Sequence, residues 1–179
     1  MKFRLAAPLS ALLIAAAASS ANAAIFTFTA SLSSAGEPIP VSLLPSTATG
    51  NATVTFNDVA GTVGVNVSWA GLQGSAPFGH IHCCTAVAGT GSAGVLQGFG
   101  LLSNVSTGSY ANTFTPAAAT FSQLLAGTSA GQAYVNIHSS TYPGGEIRGF
   151  LAPIPEPETY ALLLAGLGAV AWAARRRSV

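Results

Sequence analysis

Charged side chains are scarce in this chain, which has six Lys and Arg and five Asp and Glu among 179 residues. Five of the six bases lie near the two ends, so Arg148 is the only basic residue between residues 24 and 153. The same stretch contains three acidic residues, Glu37, Asp58 and Glu146, so its net charge is about −2. A nucleic-acid-binding protein neutralises many phosphates with Lys and Arg, so the composition excludes that class.

Residue sets that hydrolases and nucleotide-dependent enzymes need are also missing. Asp58 is the only aspartate, and it stands in a sequence context unrelated to Glu37 and Glu146, so no glycosidase pair of carboxylates is indicated. The glycine-rich stretch 79–100 lacks the lysine of a phosphate-binding loop. We therefore predict that the protein is not an enzyme.

Near the C-terminus lies a run without charged residues, residues 160–174. As a helix it would be apolar on every side, which suits lipid better than a partly solvent-exposed protein surface. Two prolines flank a glutamate before the run: Pro155, Glu156 and Pro157. Prolines so placed end a fold and leave an extended linker. Three arginines follow the run: Arg175, Arg176 and Arg177. They are costly to translocate, so we predict a single transmembrane helix over 159–174 with a cytoplasmic arginine cluster.

This C-terminal segment, residues 153–179, resembles the PEP-CTERM sorting signal of exopolysaccharide-producing bacteria. The resemblance implies an exported protein that an exosortase recognises and processes. It also implies a transient inner-membrane anchor, followed by a location at the cell surface or outside the cell. The alternative for the same residues is an ordinary C-terminal membrane anchor.

The N-terminus has the layout of a signal peptide. Lys2 and Arg4 form a positive region, residues 5–18 an apolar core, and Ala21-Asn22-Ala23 a small-x-small cleavage site. We expect the export machinery to engage residues 1–23 and signal peptidase to remove them. Residues 24–152 then form one domain, because they suffice for one core but not two.

In this domain, short alternating segments separated by Gly and Pro predict strands. We place them at 25–32, 52–56, 62–69, 79–83, 95–99, 110–114, 132–138 and 146–151, with a short edge segment at 39–44. One helix is predicted with Thr115 as its N-cap, Pro116 as its first residue and Gly127 as its stop. The expected architecture is all-β, an antiparallel Greek-key-like β-sandwich with one short helix.

Two parts of this domain resemble the CHRD domain, which is named for its repeats in chordin. The first is Gly79-His80-Ile81-His82, and the second combines Tyr134-Val135-Asn136-Ile137-His138 with the segment 144–151. The resemblance extends over 24–151 and implies the fold more than a function. Bacterial proteins with this domain are similar in being exported and without an assigned biochemical role.

The histidines form a candidate metal site. His80 and His82 are two residues apart and share one face of a strand, and His138 ends another strand. If the strands are neighbours, the three imidazoles converge. Glu146 then lies across the hairpin from His138 and can accept from a ring N–H, and Arg148 lies on the same face as Glu146. This composition binds Zn²⁺ or Cu²⁺. The alternatives are a hydrogen-bonded structural cluster, which a histidine in a sheet favours, and a catalytic site. No other cofactor is indicated.

Cys83 and Cys84 are adjacent and are the only cysteines. Three interpretations remain open: a vicinal disulfide, thiols that complete a soft metal site with His80 or His82, and links between chains. If the strand continues, Cys84 shares the histidine face and Cys83 does not.

Together these features predict an exported, non-enzymatic protein of the cell surface or extracellular matrix. Its polar, nearly uncharged face would suit contact with exopolysaccharide or with like chains. The alternative is a periplasmic or extracellular metal-binding or redox module that uses His80, His82, Cys84 and His138.

Overall fold

The computed structural model describes residues 24–38, 46–154, 163–170 and 175. The predicted signal peptide 1–23, the edge segment 39–44, the Pro155-Glu156-Pro157 motif, Arg176 and Arg177 lie outside the described residues. The strands of the described part are β1 (Ile25–Ser33), β2 (Thr49–Asn57), β3 (Thr62–Ala70), β4 (Phe78–His82), β5 (Val95–Leu101), β6 (Gly108–Phe114), β7 (Tyr134–Ile137), β8 (Ile147–Phe150) and β9 (Ala152–Pro153). The helix α1 (Ala118–Ser129) lies between β6 and β7, and a 3-10 turn, Ser34–Gly36, follows β1.

The strands form one antiparallel sheet in the order β5-β4-β7-β8-β1-β2-β3-β6, with β9 added beside β1. Long hairpins build its centre, since β1 and β2 pair from Ile25↔Asn57 to Ser33↔Thr49. The predicted hairpin between β2 and β3 closes at Asn57↔Thr62. The predicted all-β antiparallel class is confirmed.

The two edges of this sheet, β5 and β6, approach each other through aromatic side chains. The rings of Phe99 and Tyr110 stack with centroids 5.7 Å apart, and the Tyr110 hydroxyl donates to the Phe99 carbonyl. The sheet is therefore nearly closed, and a single curled sheet supplies both walls around the core.

Alternation along the strands fills the core. Val63, Val65, Val67 and Trp69 of β3 are at most 3% exposed, as their spacing predicts. Phe28 and Phe56 meet edge to face at 5.7 Å, and Phe121 of α1 meets Phe56 in the same way at 5.8 Å. The helix thus covers one end of the core, where each buried side chain of this size contributes about 1.5–3 kcal/mol.

The predicted ends of the helix are wrong. Its N-cap is Ala117, whose backbone is still extended at ψ 148°, so the helix begins beyond Thr115 and Pro116. Gly127 lies inside the helix, and the glycine with a positive φ after its end is Gly131 at +69°. Glycine is needed at residue 127 because a Cβ there would overlap the sulfurs of two cysteines, and not because the helix ends there.

Part of the predicted transmembrane span 159–174 is described. Residues 163–170 are helical and exposed, and residues 159–162 and 171–174 lie outside the described residues. Within the described parts of the chain, no helix has the length and apolar character needed to cross a membrane.

Candidate functional site

The structure brings the three histidines together where β4 and β7 pair. His82 lies opposite Tyr134 and His80 opposite Asn136, and the backbone N–H of His138 donates to the Phe78 carbonyl at 3.0 Å. The centroid of the His80 ring is 4.7 Å from that of His138 and 5.7 Å from that of His82. One ring nitrogen from each histidine lies within 4.8 Å of the others.

Backbone carbonyls determine which ring nitrogens carry protons. His82 donates from Nδ1 to the Ala93 carbonyl at 2.9 Å, and His138 donates from Nδ1 to the Pro143 carbonyl at 2.8 Å. A carbonyl can only accept, so in the neutral rings both Nε2 atoms carry a lone pair. His138 Nε2 lies 2.9 Å from His80 Nδ1, whereas His82 Nε2 is buried and has no hydrogen-bond partner within the described residues.

The environment keeps the imidazoles neutral. Burial, followed by the neighbouring His138 and His82, lowers the pKa of His80 from 6.5 to about 4. Burial also lowers the pKa of His82 and of His138, although the carbonyls that accept from their Nδ1 atoms oppose that shift. The cluster thus presents unprotonated rings at neutral pH.

Tyr134 is a residue of this site that sequence reasoning missed. Its ring is stacked on His82, with centroids 4.7 Å apart and planes 2° apart, and its hydroxyl accepts from the Ala93 N–H at 3.3 Å. It therefore holds both the imidazole and the loop whose carbonyl binds that imidazole. The available signal was its place in the Tyr-x-Asn-x-His run, but only the strand register shows which residue it faces.

The expectation that Glu146 accepts from a His138 ring N–H is wrong. The Glu146 carboxylate is fully buried, and its Oε1 accepts from the Ser46 hydroxyl at 2.6 Å and from the Gln73 backbone N–H at 2.9 Å. The Pro143 carbonyl already takes the one Nδ1 proton of neutral His138. Glu146 instead ties loops together around its carboxylate.

Arg148 supports the site indirectly, through residues that contact the histidines. Its guanidinium donates to the carbonyls of Gly36 and Gly91 and lies 4.8 Å from the centroid of the Tyr134 ring. Its Nε is also 3.8 Å from the buried carboxylate of Glu37. Arg148 thereby fastens the 3-10 turn to loop 89–94, which contains the carbonyl that orients His82.

The two cysteines form a vicinal disulfide across a cis peptide bond, the first of the three interpretations left open by the sequence. Strand β4 ends at His82, so the alternation that would place Cys84 on the histidine face does not extend to it. Both sulfurs lie against α1 near the Gln123 carbonyl and Gly127. The cluster of candidate ligands accordingly contains the histidines without Cys84.

The prediction that hydrolase residue sets are missing is wrong in one respect, because a Gly-x-Ser-x-Gly pattern is present at residues 127–131. In hydrolases the serine of this pattern stands on a sharp turn between a strand and a helix. Here Ser129 is the last residue of α1, and Gly127 lies inside the helix. The pattern is therefore not a nucleophile elbow.

Comparison with protein families places this geometry in context. The CHRD domain model matches residues 28–151, which include every residue of the histidine cluster. The PEP-CTERM protein-sorting motif matches residues 153–177. No curated protein matches the chain. The chain belongs to the CHRD domain family and carries a PEP-CTERM sorting motif, which implies an exported protein that an exosortase processes.

Proposed function

We propose that this protein is a non-enzymatic component of the cell surface or extracellular matrix whose neutral sheet face contacts exopolysaccharide. The observation that carries the proposal is the placement of charge. Of the charged residues described between 24 and 153, Glu37, Glu146 and Arg148 are at most 7% exposed. Asp58 is the one charged residue described in that stretch that is exposed.

The outer face of four adjacent strands, β1, β2, β3 and β6, is a grid of small neutral residues. The register aligns them in three cross-strand rows: Ser31, Asn51, Ser68 and Ser109; Thr29, Thr53, Asn66 and Ala111; Thr27, Thr55, Gly64 and Thr113. Hydroxyl and amide groups both donate and accept hydrogen bonds, as sugar hydroxyls do. This face therefore suits a polymer of sugars better than a charged partner.

Gly64 gives this face its shape. A Cβ at this position would overlap the Thr55 hydroxyl, so a larger residue would displace that side chain and fill space on the face. A shallow depression results, lined by Thr53, Thr55, Asn66 and Thr113 among others. The depression runs across β2, β3 and β6 and offers a track for an extended chain.

Delivery by the sorting machinery supports the same role. The PEP-CTERM resemblance implies membrane residence before exosortase processing and a host that makes exopolysaccharide. Signal peptidase and the export machinery would act on residues 1–23. A neutral domain released by this route would meet the polymer at the surface.

Retention on immobilised exopolysaccharide from the producing cells tests the proposal. We expect the exported chain to be retained with little dependence on salt, because uncharged contacts are not screened. Asn51→Asp combined with Asn66→Asp adds two charges to the face with almost no change of shape and should abolish retention.

Gln123→Glu adds one charge to the exposed side of α1, away from this face, and is the control for an added charge elsewhere. It should be retained like the native protein. Native protein that passes through the column unretained would remove the polysaccharide from the proposal.

A further inference from the structure

We propose that His80, His82 and His138 bind one divalent transition metal, Zn²⁺ or Cu²⁺, through Nδ1 of His80 and Nε2 of His82 and His138. This site is independent of the neutral sheet face and of the surface role. Four observations carry it: the orientation of two rings, an unpartnered nitrogen, the spacing of the ligand atoms and the surroundings.

The first observation is the orientation of His82 and His138. Each ring gives its Nδ1 proton to a backbone carbonyl, at 2.9 and 2.8 Å. Metal-binding histidines almost always donate their second N–H in this way, which fixes the tautomer and directs the free nitrogen at the metal. Both rings therefore already have the proton arrangement that ligation requires.

The second observation is the Nε2 atom of His82. It is buried and has no hydrogen-bond partner within the described residues, and a buried acceptor in that state is costly. A purely structural cluster accounts for the contact between His80 and His138 but leaves this nitrogen unexplained. A metal at the centre of the cluster would give it a partner.

The third observation is the spacing. Two of the proposed ligand atoms, His80 Nδ1 and His138 Nε2, are 2.9 Å apart, and one ligand atom from each ring lies within 4.8 Å of the others. Nitrogens bound tetrahedrally at about 2.0–2.1 Å from a metal would be about 3.3 Å apart. Small side-chain shifts thus suffice. His80 moves its proton to Nε2, and all three rings remain neutral.

The fourth observation concerns the surroundings. Among the described residues, no Cys, Asp or Glu joins the three histidines in the candidate group, so one position is left for water or an added ligand. Within the described residues, Arg148 is the positively charged side chain near the cluster. It interacts with Tyr134, and its Nε lies 3.8 Å from the Glu37 carboxyl group. An all-imidazole set suits Zn²⁺ and Cu²⁺.

Calorimetric titration of the exported chain tests the site. The protein is purified in detergent without a polyhistidine tag, treated with chelator and dialysed, and then titrated with ZnCl₂ and CuCl₂. We expect one metal per chain, and the Cu²⁺ form should show electron paramagnetic resonance coupling to three nitrogens. The spectrum needs no variant, so the proposal stays testable if a variant fails to fold.

His82→Phe keeps a ring to stack on Tyr134 but removes the nitrogen, and His138→Gln keeps a polar group near Pro143. Both variants should bind at least about a hundredfold more weakly. Zn²⁺ should raise the thermal midpoint of the native protein and leave that of each folded variant unchanged. The Cys83→Ser, Cys84→Ser double variant is the control and should bind one metal as before.

Three results would overturn the site: no stoichiometric binding, binding that persists in folded His82→Phe, or binding lost in a folded cysteine double variant. None of them bears on retention by polysaccharide. The two proposals therefore fail separately.

Discussion

Tyr134 stacks face to face on His82 because the register of β4 and β7 places the two residues opposite each other. The ring centroids are 4.7 Å apart, and the Tyr134 hydroxyl also accepts from the Ala93 N–H. One buried aromatic side chain thus determines where an imidazole lies and where the loop beside it runs.

Tyr134→Phe and Tyr134→Ala separate the two contributions of this residue. The first keeps the stack and loses the hydroxyl contacts, so the free energy of unfolding should fall by about 1 kcal/mol. The second also leaves a cavity in a site that is 2% exposed, which should cost about 3–5 kcal/mol. Urea denaturation measures both. Equal losses would show that the ring contributes nothing.

Gly127→Ala should destabilise the protein although alanine is the better helix former. The new Cβ would overlap the sulfurs of Cys83 and Cys84, and the packing of α1 against them would have to shift. We expect a loss of about 1–3 kcal/mol, the usual cost of overpacking. Thermal or urea unfolding of the oxidised protein measures it.

Gly127→Ala in a Cys83→Ala, Cys84→Ala background completes the double-mutant cycle. With the sulfurs absent, the helix propensity of alanine should make the same change neutral or favourable by up to about 1 kcal/mol. Gly94→Ala, where a Cβ would meet nothing within 4 Å, is the control. A loss at residue 127 that persists without the sulfurs would contradict the assignment.

Glu37 should make stability fall as pH rises from about 4.5 to about 7. Burial raises the pKa of its carboxyl from 4.5 to about 7, against the lowering effect of Arg148. Between those values the native state keeps a proton that the unfolded state has lost. The stabilisation from this carboxyl is therefore complete below the pKa of the unfolded state and is lost above the pKa of the folded state. Unfolding free energies measured across this range test it.

Glu37→Gln is the reference for that experiment. The histidines, whose pKa values are lowered, act in the opposite direction, because the unfolded state binds more protons than the native state below 6.5. Their effect cancels in the difference between the native protein and Glu37→Gln at each pH. A difference that does not vary with pH would disprove the assignment to Glu37.

Processing by an exosortase should depend on Glu156 and not on its neighbour Glu158. Glu156→Ala in the producing cell should leave an uncut chain that accumulates with the membranes, visible as a larger band after fractionation. Glu158→Ala removes the same charge two residues later and should be processed normally. Equal processing of the two variants would show that Pro-Glu-Pro is not the recognised element.

The histidine cluster shows how far sequence reasoning reaches. The common face of His80 and His82 follows from the two-residue period of a strand, and their approach to His138 follows once β4 and β7 are neighbours. The carbonyls of Ala93 and Pro143 could not be predicted, because every residue has a carbonyl and only the fold selects two. Glu146 was misassigned because proximity along a hairpin does not reveal which donors reach a carboxylate first.

By itself, the sequence determined the strand pattern, the near absence of charge, the sorting motif and the family, since each depends on residues close together in the chain or on composition. Tertiary structure decided that Asp58 alone of the described charged residues between 24 and 153 stays exposed, and that Gly127 must make room for two sulfurs. The contacts that tertiary structure creates join residues far apart in the chain. His80 and His138 are 58 positions apart, and Ser46 and Glu146 are 100 positions apart. Local periodicity says nothing about them, because the order of the strands in the sheet decides which distant residues meet.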